Sequence, residues 1–210
     1  MNQSGTDNQT IRYDSTAEGL GDNDRHAVQT YVSDMLALER HIGQAISAQD
    51  KIDDPSLGSA TGVIAQLKAL NVSHTTALEQ HLKALGGHEA SAIKSAWSAL
   101  LGIGAEAINS ARKTKLTKAL RDDYTALNLA AMGYTLLFAT GIGLGDQTTA
   151  DLAKRHLSDY ARLVMLINEV IPGVVLAELA EDGETVAIGA DERIRREINE
   201  LWRRQSDVAH

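Results

Sequence analysis

Glu39, Asn71, His74, His156 and Asp159 stand where regular helical spacing asks for apolar side chains, and Asn128 lies at the edge of another such stripe. Carboxylates and imidazoles are the ligands that iron, manganese or zinc takes when no thiolate is on offer. The chain has no cysteine, which also excludes disulfides and thiol nucleophiles. Residues at i and i+3 share one face of a helix. Asn71 and His74 have that spacing, as do His156 and Asp159, so each pair can address one centre. Burying a carboxylate without a partner is costly. Glu39 therefore needs a cation, a proton or an arginine, and Arg162, three residues beyond Asp159, is the candidate arginine.

The elements that must position these groups follow from periodicity. A first helix is expected over about residues 25–48, with the stripe Val28, Val32, Met35, Glu39, Ile42, Ile46. Pro55 breaks the chain before a second helix over about 60–85, whose stripe is Ile64, Leu67, Asn71, His74, Leu78, His81 or Leu82, and Leu85. Gly86-Gly87 ends it. A weaker helix around Trp97, Leu100, Leu101 and Ile103 is expected in the connection that follows. A third long helix runs over about 114–141 with Leu120, Tyr124, Leu127, Ala131, Tyr134 and Phe138 inward. TGIGLGDQ then reads as a helix-to-helix turn; it lacks the strand and Lys-Ser/Thr ending of a phosphate loop. The fourth helix is expected from a Thr148 cap, with Asp151 as capping-box partner, to Pro172, with Leu152, His156, Asp159, Leu163, Leu166 and Val170 inward. Short loops make each pair antiparallel, while the long connection lets the third helix run parallel to the second. The polar exceptions fall near the midpoints of their helices, hence at one level of a bundle.

Composition agrees with an all-α chain: 43% apolar residues, two prolines and 4% aromatics among 210 residues. The formal net charge of −8 argues against nucleic-acid binding, which needs a basic surface. No continuous run approaches the ~18 apolar residues of a membrane span. The first residues lack a secretion signal, so a cytoplasmic location is expected. Residues 1–22 read as a polar tail, 23–172 as the bundle, and 173–210 as an extension whose amphipathic helix carries Ile194, Ile198, Leu201 and Trp202. That edge needs a partner, either this chain or a second subunit, and homo-oligomerisation is the expectation.

DMLALERHIGQAI, LNVSHTTALEQHLKALGG, DDYTALNLAAMGY and DLAKRHLSDYARL together resemble the ferritin-like superfamily, most closely the YciE/YciF branch of bacterial stress-associated ferritin-like proteins. The resemblance covers about residues 25–172. It implies a four-helix bundle of two antiparallel hairpins joined by a long helical crossover. It also implies a mid-bundle iron or manganese site handling oxygen or peroxide, with no organic cofactor. The family pattern is Glu on the first helix, Glu-x-x-His on the second, Glu on the third and Glu-x-x-His on the fourth. Glu39 and His74 match it; Asn71 replaces a Glu, Asn128 is the nearest group on the third helix, and Asp159 and Arg162 replace Glu and His. The metal ligands so implied are Glu39, His74 and Asp159, with His156 accessory.

Two carboxylates instead of four leave a di-metal centre short of charge, and an arginine aimed at it would oppose it further. Two readings therefore stand side by side. One is a reduced metal site. The other is a non-enzymatic structural or interaction bundle in which a Glu39–Arg162–Asp159 network, with Asn71 and Asn128, replaces the metals. His81, Tyr124 and Tyr134 are expected in structural roles.

Overall fold

The computed structural model describes residues 19–49, 58–87 and 115–208. They form five helices: α1 (Asp22–Gln49), α2 (Gly58–Ala84), α3 (Leu116–Gly143), α4 (Gln147–Glu181) and α5 (Ala190–Val208). No strand occurs among the described residues. The connection over 88–114, the first 18 residues and the loop at Pro55 lie outside them, and with them the expected helix around Trp97.

Helix α1 packs on α2 and α3, and α4 packs on α2 and α3, so the four make a closed bundle. Cross-helix contacts give the directions. Gln49 meets Asp123 at one end of α1 while Glu39 meets Tyr134 further back, so α1 and α3 are antiparallel. His74 meets Asp159 and His81 meets Thr149, so α2 and α4 are antiparallel too. With two antiparallel hairpins, α2 and α3 run the same way. The expected parallel course of the second and third helices is thus the observed one.

On α1 the apolar stripe is buried as its spacing requires: Val28, Val32, Met35, Ile42 and Ile46 all lie in the core. Close approach between helices needs a small residue at Gly141, where a β-carbon would stand 2.7 Å from the Ala150 backbone nitrogen; one on Gly133 would meet the movable Met35 sulfur. On α3 and α4 the inward face matches the expected one at Leu120, Leu127 and Tyr134, and at Leu152, His156, Leu163 and Val170. It differs by one position elsewhere: Asp123, Ala130 and Leu137 are buried on α3 in place of the expected Tyr124, Ala131 and Phe138, and Tyr160 and Ile167 on α4 in place of Asp159 and Leu166. Three- and four-residue steps both fit a helical stripe, which is why periodicity leaves those alternate positions open by one residue.

Two expectations for α4 are corrected. Its N-cap is Asp146, whose carboxylate accepts the Thr149 N–H at 3.0 Å, whereas Thr148 is exposed. Asp151 instead accepts from the Gln147 side chain on the surface. Nor does the helix stop at Pro172; it continues to Glu181, so the boundary placed at 172–173 falls inside a helix. A proline within a helix costs roughly 3 kcal/mol through its missing N–H. Burial of Val170 and Val174 on one face of α4, and of the Pro172 ring itself, opposes that cost.

The continuation does structural work. The N-cap residue of α3, Lys115, makes no side-chain cap bond. Glu178 supplies it from α4: its carboxylate accepts the Thr117 N–H at 2.9 Å and the Thr117 hydroxyl at 2.7 Å. An anion at a helix N-terminus meets both unpaired amides and the positive end of the helix dipole. Lys115 also pairs with Asp182 just beyond.

Helix α5 contacts α4, where Arg195 lies 3.2 Å from a β-carbon built on Gly173. Ile194 and Ile198 are half-buried, while Leu201 and Trp202 remain exposed. By length and composition alone, α3 and α4 would each reach across a bilayer; the core helix of a bundle meets the same criterion. No charged residue lies between Asp123 and Asp146.

Replacing Glu178 with Ala removes a buried cap and leaves the Thr117 amide without its acceptor. The expected loss is about 1–2 kcal/mol in urea unfolding, the range for cap removal. A midpoint indistinguishable from wild type would show that α3 begins without this carboxylate.

Candidate functional site

Glu39 is inward on α1, with Leu38 and Ile42 buried beside it, and is 0% exposed. A carboxylate so placed costs several kcal/mol unless its oxygens are bonded. All four helices contribute. From α3, the Tyr134 hydroxyl donates to Oε1 at 2.5 Å. From α4, the Tyr160 hydroxyl donates to Oε2. From α2, Asn71 Nδ2 donates to Oε2 at 2.7 Å and to the Glu39 backbone carbonyl at 2.8 Å. The fourth contact is His74 Nδ1, 3.2 Å from Oε1. Each carboxylate oxygen therefore meets two groups.

The other nitrogen of His74, Nε2, stands 3.2 Å from Asp159 Oδ2. A carboxylate accepts only. Each ring nitrogen faces a carboxylate oxygen, so the imidazole links the two acids. Asp159 is 38% exposed at its side chain, so this chain of contacts begins in a sealed interior and ends in water.

His156 stacks on His74, with ring centroids 3.8 Å apart and planes 13° from parallel. Tyr134 meets the His156 ring edge-on at 5.0 Å, and Tyr160 lies 4.7 Å from the His74 ring. Burial, then the nearby charges of His74 and Arg155, hold His156 down to about 3. It is therefore neutral near pH 7, and its buried Nδ1 has no hydrogen-bond partner. Burial and the adjacent Glu39 push both phenols upward from their ordinary value, keeping them protonated as donors.

The structure thus brings together Glu39, Asn71, His74, His156 and Asp159. It does not bring in Asn128 or Arg162. Asn128 is exposed and donates to the Tyr124 carbonyl of its own helix at 2.7 Å. Arg162 lies on the exposed side of α4. With Tyr160 pointing inward, a residue two positions later is rotated by roughly 200°. The donors to Glu39 are tyrosines, an amide and an imidazole, and the expected Glu39–Arg162–Asp159 network is corrected accordingly.

Sequence reasoning missed two contributors. Tyr160 lies four residues after His156, a spacing as helical as the three that pointed to Asp159. Gly43 lies one turn after Glu39, and a β-carbon there would stand 2.5 Å from Asn71 Oδ1. That space is what admits the Asn71 amide between α1 and α2. His81 has a structural role at one end of the bundle. Thr149 donates its hydroxyl hydrogen to Asp146 at 2.6 Å, so His81 Nε2 must be the donor across its 2.6 Å contact to Thr149.

Does this donor set fit a metal ion? Among the described residues no group of three or more His, Asp or Glu is arranged to hold one. Glu39 has its lone pairs occupied, and both His74 nitrogens face carboxylates. The in-plane lone pairs of two near-parallel stacked rings leave in separate planes instead of meeting at one point. The residues present do not fit a di-metal centre.

Folded, His156 resists protonation down to about 3, whereas unfolded it titrates near 6.5. Between those limits the unfolded chain binds more protons, so this group's contribution is complete above pH 6.5 and is lost as pH falls. His156→Phe keeps a ring against His74 and removes that contribution. The acid slope of stability should become shallower, by at most about 1.4 kcal/mol per pH unit. Urea midpoints between pH 6.5 and 4 read it, and parallel slopes would contradict the assignment.

No family model, no curated protein and no solved structure matches this chain.

Proposed function

We propose that the chain is a ferritin-like helical bundle without metal chemistry, a structural or interaction module in which a hydrogen-bonded carboxylate fills the place of a metal centre. One observation carries the reading: the two oxygens of Glu39 are already met by Tyr134, His74, Tyr160 and Asn71. A carboxylate offers about four lone-pair directions. To ligate a metal, Glu39 would have to shed contacts that now offset its burial. The parallel course of α2 and α3 supports the ferritin-like topology. The outer face of α3 suits an interaction role, with Met132, Leu136 and Ile142 each about half exposed or more and no charge among them. Apolar strips of this kind mark association surfaces when they are contiguous.

A metal reading has one observation in its favour. His156 Nδ1 is buried and unbonded beside His74 and Asp159, and Arg162 stands clear of the layer. A single ion would draw His156 and Asp159 out of their present arrangement.

One experiment separates the two. The purified protein is loaded anaerobically with Fe(II), and separately with Mn(II), then assayed for bound metal and thermal midpoint. A ligand at a hundred times its Kd would add about 2.7 kcal/mol to the native state. Neither stoichiometric uptake nor a raised midpoint is expected. Glu39→Gln, by contrast, should cost about 2–4 kcal/mol, because its amide donates where the site already holds donors. Uptake of one metal per chain, abolished by His74→Ala, would reverse the conclusion.

A further inference from the structure

A second buried acid lies away from the Glu39 layer. Asp123 faces inward on α3, eleven residues before Tyr134 and hence roughly 16 Å along the helix. It is 4% exposed. Its Oδ1 accepts a hydrogen bond from Gln49 Nε2, the last residue of α1, at 2.7 Å. Among the described residues, the buried side-chain atoms without a hydrogen-bond partner include both remaining oxygens of this pair, Asp123 Oδ2 and Gln49 Oε1. Buried polar atoms are rarely left unbonded, and here a carboxylate oxygen and an amide oxygen are orphaned together. Neither can donate to the other, so the pair as a whole lacks one hydrogen.

Two oxygens fall well short of the six or more that calcium takes. A proton is enough. Placed on Oδ2, it can donate to Gln49 Oε1 while Gln49 Nε2 donates to Oδ1, and both orphans are satisfied together. We propose that Asp123 is held as a carboxylic acid doubly paired with the Gln49 amide, forming a proton-binding site that fastens the end of α1 to α3.

The electrostatics agree. Desolvation is the main influence and pushes the Asp123 carboxyl up to about 7; the Gln49 bond opposes it, and the Asp122 charge adds to it. Among the described residues, α3 itself presents Asp122, which Arg121 pairs at the surface, and α1 presents only the neutral Gln49 amide. Among the described residues no charged group of α2 or α4 contributes. A folded value above the ordinary one means that the stabilisation is complete below pH 3.8 and is lost as pH rises towards about 7. His156 acts with the opposite sign, but only below pH 6.5.

Asp123→Asn provides the test, since it keeps an acceptor for Gln49 Nε2 and adds a permanent donor for Gln49 Oε1. The folding constant of wild type relative to D123N should fall on the order of tenfold to a hundredfold between pH 5 and 8, one decade per pH unit below the folded value. The comparison cancels His156, which both proteins share. On wild type alone, infrared difference spectra should show a protonated-carboxyl band at pH 5 that fades through neutrality and is absent from D123N. Parallel pH profiles, or an ionised Asp123 at pH 5, would overturn the proposal. If D123N fails to fold, titration of the wild-type band decides the matter.

Discussion

A carboxylate sealed in an apolar core must be satisfied on every side, and the middle of this bundle is built around that requirement. Glu39 has no access to water. Its partners come from three other helices, so each helix is fixed to the same carboxylate at the same height. Sliding any of them by one turn, about 5.4 Å, would break its bond and leave a buried acceptor unpaired. Apolar stripes alone do not prevent such slips, because a leucine one turn along packs nearly as well. The polar layer supplies register in exchange for some stability, a trade that buried networks can make.

Two buried acids in one chain are handled by different means. Glu39 is surrounded by hydrogen-bond donors and connected through His74 to Asp159 at the surface. Asp123 has one donor and one companion acceptor, and the simplest completion is a proton. The difference follows from the neighbours. Tyrosine, asparagine and imidazole can give hydrogen bonds to an anion, whereas a single amide can give one and asks for one in return. Chemically similar side chains are thus satisfied in different ways according to the number of donors within reach.

Much of this was legible in the sequence, for identifiable reasons. Four long amphipathic segments and their connection lengths dictate an antiparallel pair of hairpins. On α1 and α2, where the polar exceptions interrupt strongly apolar stripes, Glu39, Asn71 and His74 were placed inward as observed. On α3 and α4 Leu120, Leu127, Tyr134, Leu152, His156, Leu163 and Val170 face inward as their spacing predicts, and the alternate positions are offset by one residue. The offset from Asp159 to Tyr160 is what points to Arg162, three residues after Asp159, and passes over Tyr160. Tyrosine is hard to read because its ring belongs in a core and its hydroxyl belongs to a network, and spacing reveals only the ring. The role of Gly43 was illegible, since a missing side chain signals nothing until its neighbour is known. Pro172 misled by a sound rule: a proline usually ends a helix, yet the burial beyond it outweighs the lost bond here.

Helix α3 shows how these features combine. At its start Glu178 reaches over from α4 and caps the Thr117 amide. At its middle Tyr134 donates to Glu39. At its end the turn to α4 is held by Asp146 and Thr149, with His81 of α2 bonded to the same threonine. Between Asp123 and Asp146 the helix has no charge of its own. Its polar anchors therefore come largely from other helices, and they fix its height at three levels. A helix this apolar could rotate or slide within a core of leucines at little cost. Anchoring by groups on its neighbours confines it to one position, and the uncharged outer face beyond Asp123 is then presented in one fixed orientation.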